Sequence, residues 1–160
     1  MTRPKFIAGA AVWLFMSMFG MGLFYYLSPI LEAELAPVLT DQKVEVTVRE
    51  PTRVCWRWWW HKERYAQPTV IAWSLVVDGT AVAYPAVVSR RSDGEVLREF
   101  RTATLGPGSN GLCAQIPLEL MNVPDLTVRG QANYALRHGL WTIWQELPEV
   151  KVPTALTLAR

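Results

Sequence analysis

The sequence predicts a mainly β protein: a single N-terminal transmembrane helix followed by an antiparallel β-sandwich of seven to eight strands. Three observations carry this. Residues 6–27 are a run of 22 residues without a charge. From Lys43 onward the hydrophobic period changes to two, the repeat of a half-buried strand. Turn signals such as Asp78-Gly79, Asp93-Gly94 and His138-Gly139 then separate the alternating stretches. At 160 residues and 51% hydrophobic, the chain has room for one ordinary domain and is too apolar to be disordered.

At about 1.5 Å per residue, a helix over residues 6–27 is about 33 Å long, enough to cross a hydrocarbon core. Arg3 and Lys5 precede it and the first charge afterwards is Glu32. By the positive-inside rule the N-terminus is cytoplasmic and the remainder lies across a cytoplasmic (inner) membrane, in the periplasm or outside the cell. Tyr25 and Tyr26 stand at the outer end, where amphipathic rings favour headgroups, and Trp13 lies deeper; these three are the expected aromatic anchors. The run is too long for a signal-peptide core, and no small-x-small cleavage site follows it. The division is therefore a cytoplasmic tail over 1–5, the transmembrane helix over 6–27, a linker over 28–42, and an extracytoplasmic β-sandwich over 43–160.

Within that domain, Val44, Val46 and Val48 alternate with polar residues. Strands follow over 54–60, 69–77, 81–90, 96–105, 112–118, 126–136 and 140–147, with Gly106 to Gly111 as a loop and 118–123 as a helical turn. The clearest is 126–136, where Leu126, Val128, Gly130, Ala132, Tyr134 and Leu136 share one face. The pattern resembles immunoglobulin-like and fibronectin-type domains in general architecture, and no motif identifies a family.

Cys55 and Cys113 are the two cysteines of the chain, and outside the cytoplasm they are expected to form a disulfide. Both point away from the more apolar face of their strand, so the bond is not expected to span the core. Trp56, Trp58 and Trp60 lie on one face of a strand and Arg57 and Trp59 on the other. This strand and the last hairpin, with Trp141 and Trp144, are the candidate binding surface: Trp56, Arg57, Trp58, Trp59, Trp60, Trp141 and Trp144. Core packing is the competing reading for Trp56 and Trp58.

Chemistry is hard to find. After Arg3 and Lys5, 14 basic residues balance 14 acidic ones, so the domain lacks the footprint of a nucleic-acid binder. His61 and Cys55 are six residues apart, too far along a strand to share an ion, and no metal site is expected. No GxSxG or P-loop is present. Glu95 with Glu99, or Glu146 with Glu149, are ordinary charged surface rather than an acid–base pair. The expectation is a protein without catalytic residues or cofactor. It binds the bilayer through residues 6–27 and a protein partner at the membrane, as an accessory subunit or adaptor. Two alternatives stand beside it: a glycan or cell-wall module using exposed tryptophans, and a metal-delivery or assembly factor using Cys55 and Cys113.

Overall fold

The computed structural model describes residues 3–80, 82–97 and 103–153. Among these residues, one helix, α1 (Arg3–Leu35), precedes eight strands: β1 (Leu39–Arg49), β2 (Arg53–Lys62), β3 (Ala66–Val77), β4 (Ala83–Pro85), β5 (Val88–Arg90), β6 (Gly106–Gln115), β7 (Leu126–Leu136) and β8 (Thr142–Val152). The strands form two antiparallel sheets, ordered β1-β2-β6-β5 and β4-β3-β7-β8.

The helix is long and apolar enough over Gly9–Leu35 to cross a membrane, and no residue of its most apolar stretch is buried inside the chain. Trp13, Tyr25 and Tyr26 all project from it exposed. It runs through Pro29, which gives up one backbone hydrogen bond without ending the element. It stops at Leu35 because Ala36 precedes Pro37, and the residue before a proline is driven out of the helical region. Where composition suggests a linker over 28–42, the structure therefore continues the helix to Leu35 and starts β1 at Leu39.

The core lies between the sheets. Strand parity turns Val54, Trp56, Trp58 and Trp60 of β2 inward, toward Trp73 and Leu75 of β3 and Val128, Ala132 and Tyr134 of β7. Trp56 and Trp73 meet at 5.3 Å between ring centroids, and Trp58 and Trp73 at 5.7 Å. Two glycines make room for these rings. A Cβ on Gly130 would lie 2.7 Å from Trp73 and 2.9 Å from Leu147, and one on Gly108 would lie 2.7 Å from Trp60.

Gly108 explains one difference from the sequence pattern. Gly106 to Gly111, expected as a loop, is the first half of β6 and pairs with β2 from Arg57 to Lys62. Gly108 serves the close approach of Trp60, Gly111 lies against Arg91, and Gly106 takes a positive φ at the start of the strand. The stretch 81–90 divides into two short strands on different sheets, the chain crossing over after Pro85. Residue 81 and residues 98–102 of the expected 96–105 strand lie outside the described residues; Val96 makes a single bridge to Ser89. The expected turn over 118–123 is a 3-10 turn at Leu118–Leu120. β8 extends past Leu147 to Val152, with a register shift opposite Arg129 that accommodates Pro148.

Along one side the two sheets are stitched together. Gln145 of β8 accepts the Leu39 amide of β1 at 3.2 Å and donates to the Leu39 carbonyl at 2.5 Å. One side-chain amide thus satisfies both backbone groups of an edge-strand residue.

Candidate functional site

A polar cluster lies where the helix meets the domain. Glu32, five residues beyond the uncharged run, reaches the turns at one end of the two sheets. Its carboxylate accepts from Arg64 at 2.6 Å, from the Trp141 indole at 2.7 Å and from His138 Nε2 at 3.2 Å. Arg64 sits in the β2–β3 turn, and His138 and Trp141 in the β7–β8 turn, so one carboxylate ties both turns to the helix. His138 Nδ1 accepts the Leu140 amide at 3.0 Å, which leaves the proton on Nε2, directed at Glu32. Burial pushes the Glu32 carboxyl up, but the bonds from Arg64, Trp141 and His138, with the Arg64 charge, hold it below the usual glutamate value.

Trp141 extends the joint down the helix. Its ring lies 5.9 Å from Phe24 and 6.4 Å from Tyr25, both edge-on, and 4.8 Å from His138. Nothing in the local sequence announces this, because the partners are more than a hundred positions apart.

The structure divides the tryptophans expected as a binding surface. Trp56, Trp58 and Trp60 are buried in the core, so the surface does not include them. Large apolar rings on the inward parity of a central strand are worth more between two sheets than against water. Trp59 is half-buried on the outer face, with the Lys43 ammonium 5.5 Å and the Arg57 guanidinium 5.8 Å from its ring. Trp141 is held by the helix. Trp144 is 58% exposed on β8, in register with Asn133 of β7, which is in register with the 49% exposed Val70 of β3. Val70 and Trp144 thus flank a buried Asn133 in one row across the outer face of that sheet.

Cys55 and Cys113 form a disulfide. They face each other in register on β2 and β6, so the bond joins neighbouring strands of one sheet, as their parity implies. With the two sulfurs bonded to each other, they are not available as thiolate ligands in this state. Among the described residues no three His, Cys, Asp or Glu side chains are grouped to hold a metal ion. Glu149 pairs with Arg129 at 2.7 Å and Glu95 with Arg90 at 3.2 Å, while Glu99 lies outside the described residues.

Near the helix end of the core, a cavity of about 60 Å³ is lined by Leu39, Trp58, Trp60, Lys62, Ile71 and Tyr134 among others. Lys62 is buried there, its Nζ donating to the carbonyls of Ala66 at 3.0 Å and Ala103 at 2.9 Å, and burial draws its ammonium below the ordinary lysine value. Both bonds tie chain segments together, which assigns Lys62 a structural task.

No protein-family model matches this chain, and no curated protein is significantly similar to it.

Proposed function

We propose that the protein is a membrane-anchored binding or assembly module. Residues 6–27 form its single transmembrane span with the N-terminus on the cytoplasmic side, and an immunoglobulin-like β-sandwich faces the periplasm or the cell exterior. The observation that carries this reading is the joint at Glu32. A tether that only raised local concentration would need a loose connection. Here a carboxylate with three donors and a tryptophan against two helix rings hold the domain in one orientation.

The strand order supports the sandwich. β1-β2-β6-β5 opposite β4-β3-β7-β8 is the A-B-E-D and C′-C-F-G arrangement of immunoglobulin domains, and Trp73 lies on the strand corresponding to C, where those domains bury a tryptophan. The disulfide departs from that pattern, joining the strands corresponding to B and E. It is a bond that an oxidising compartment sustains, in keeping with the domain lying outside the cytoplasm.

The partner surface is the row from Val70 to Trp144. An exposed tryptophan in one row with an exposed valine is the residue type and setting that anchors protein interfaces. A stacking platform for glycans would need two coplanar exposed rings, and of Trp56, Trp58, Trp59, Trp141 and Trp144 one alone is more than half exposed. The test is site-specific photocrosslinking of the full chain in its native membrane, with the photoreactive side chain at Trp144 and, for comparison, at exposed Gln115 on the other sheet. A discrete protein adduct from position 144, lost on Val70→Asp, supports the reading. Equal adducts from both positions, or none at 144, refute it.

A further inference from the structure

The β7–β8 turn reaches a level on the helix that has a physical consequence. Trp141 bonds Glu32 with its indole N–H and touches Phe24 and Tyr25 with its rings. Phe24 and Glu32 are eight positions apart, about 12 Å along a helix axis. The turn therefore lies beside the last helical turns of the uncharged run and not above them. A hydrocarbon core about 30 Å thick, centred on the run from 6 to 27, has its outer boundary near Tyr26, so Phe24 and Tyr25 lie just inside it. Leu140, next to Trp141, is 58% exposed, and Tyr65 in the β2–β3 turn, next to the Glu32-bound Arg64, is 65% exposed. These two turns leave a groove between them, lined by Glu32, Arg64, Tyr65, Leu136, Arg137 and His138. Arg137 is exposed at its rim.

We propose that this end of the domain is itself a lipid-contacting surface, with Leu140 and Tyr65 seated in the headgroup layer of the bilayer that the helix crosses. The occupant is fixed by continuity: the same ring contacts that hold the turn also fix its depth against the span. Leucine and tyrosine at a wet–apolar boundary, with an arginine whose head can meet phosphate, suit that layer. A protein partner would leave the distal end of the domain equally eligible. Lipid requires this end and excludes the other. The inference rests on residues 6–27 spanning the membrane.

The experiment is electron paramagnetic resonance depth measurement on the full chain in phosphatidylcholine vesicles containing one quarter phosphatidylglycerol. Spin labels are placed one at a time by Phe15→Cys, Tyr65→Cys, Leu140→Cys and Leu118→Cys. The native cysteines are buried and bonded, so the introduced thiol is the one labelled. Accessibility to oxygen is compared with accessibility to a water-soluble nickel chelate. The expected order places Phe15 in hydrocarbon, Leu118 (80% exposed, away from the helix) in water, and both Tyr65 and Leu140 between, with nickel accessibility several-fold below that of Leu118. Labels at Tyr65 and Leu140 that match Leu118 while Phe15 is in hydrocarbon overturn this inference alone. A Phe15 label in water overturns the membrane reading and this inference with it. Tyr65 and Leu140 come from separate turns, so a folding failure of one variant leaves the other to decide.

Discussion

Replacing Glu32 by Gln keeps the size of the side chain and removes its charge. The carboxylate accepts three N–H groups, from Arg64 at 2.6 Å, Trp141 at 2.7 Å and His138 at 3.2 Å. A hydrogen bond to a charged partner contributes about 1.5–3 kcal/mol net, roughly twice a neutral one. Glutamine has one acceptor oxygen: turned toward Trp141 and His138 it keeps those two bonds at neutral strength, while its NH2 faces the Arg64 guanidinium and that bond is lost, so at least about 3 kcal/mol disappears. The Arg64 and Glu32 side chains are 27% and 21% exposed, and solvent screening brings the figure to about 2 kcal/mol. The contacts of Trp141 with Phe24 and Tyr25 add little to the difference, since glutamine leaves both rings in place. A loss of about 2 kcal/mol raises the undocked population roughly 30-fold. Trypsin reads that population at the Arg64–Tyr65 bond, because Arg64 must leave Glu32 to enter a protease pocket, and cleavage of a transiently opened site tracks the open fraction. Arg91, exposed and remote from the joint, is the internal reference. The expected result is cleavage at Arg64 about 30-fold faster relative to Arg91. An unchanged ratio would show that the helix is held by something other than this carboxylate.

Three further outcomes follow from the same structure. Reducing the disulfide, or replacing both cysteines by serine, frees a 58-residue separation and removes about 4 kcal/mol on the chain-entropy account; the melting temperature should fall by roughly 15 °C. Gly130→Ala places a methyl between Trp73 and Leu147 and should cost about 2–3 kcal/mol, more than Gly108→Ala, whose methyl meets Trp60 alone, as read from denaturant midpoints at constant slope. The joint should also respond to acid. Glu32 has a folded pKa below its ordinary value, so its contribution is complete above the normal glutamate range and is lost as the pH falls through the lowered folded value. The Arg64 cleavage ratio, followed with an acid-tolerant arginine-directed protease, should therefore stay flat down to that range and rise below it.

Much of the sheet framework was legible because parity is a local property. Period-two alternation places Trp56, Trp58 and Trp60 on one face and Cys55 on the other. The structure keeps that division, with tryptophans in the core and a disulfide inside one sheet. What alternation could not show is where a face points. Trp56 and Trp58 read either as core or as part of an exposed strip until a second sheet covers them. The glycine-rich stretch from Gly106 read as a loop because the need for Gly108 lies in a tryptophan 48 positions away. The joint was illegible for the same reason. Glu32 looked like the first charge after an apolar run, inside a stretch read as a linker over 28–42. Only the fold brings Arg64, His138 and Trp141 to that carboxylate.

The joint also bears on how a partner could be reached. Trp141 and Trp144 are three residues apart where the chain enters β8, about 10 Å in extended conformation. A side chain fixed against Phe24 and Tyr25 therefore sets the height of Trp144 as well. Its row continues through Asn133 to Val70, on strands that cannot shift without breaking register. With the proposed membrane placement, the partner surface consequently stands at one distance from the bilayer and turns to one side of the helix axis. A partner that is itself embedded in the membrane meets such a surface by diffusing in two dimensions with its orientation already constrained, and the domain spends no interaction energy on ordering a linker. On the proposed reading, the charge on Glu32 would then matter to binding through the position it gives the Trp144 row.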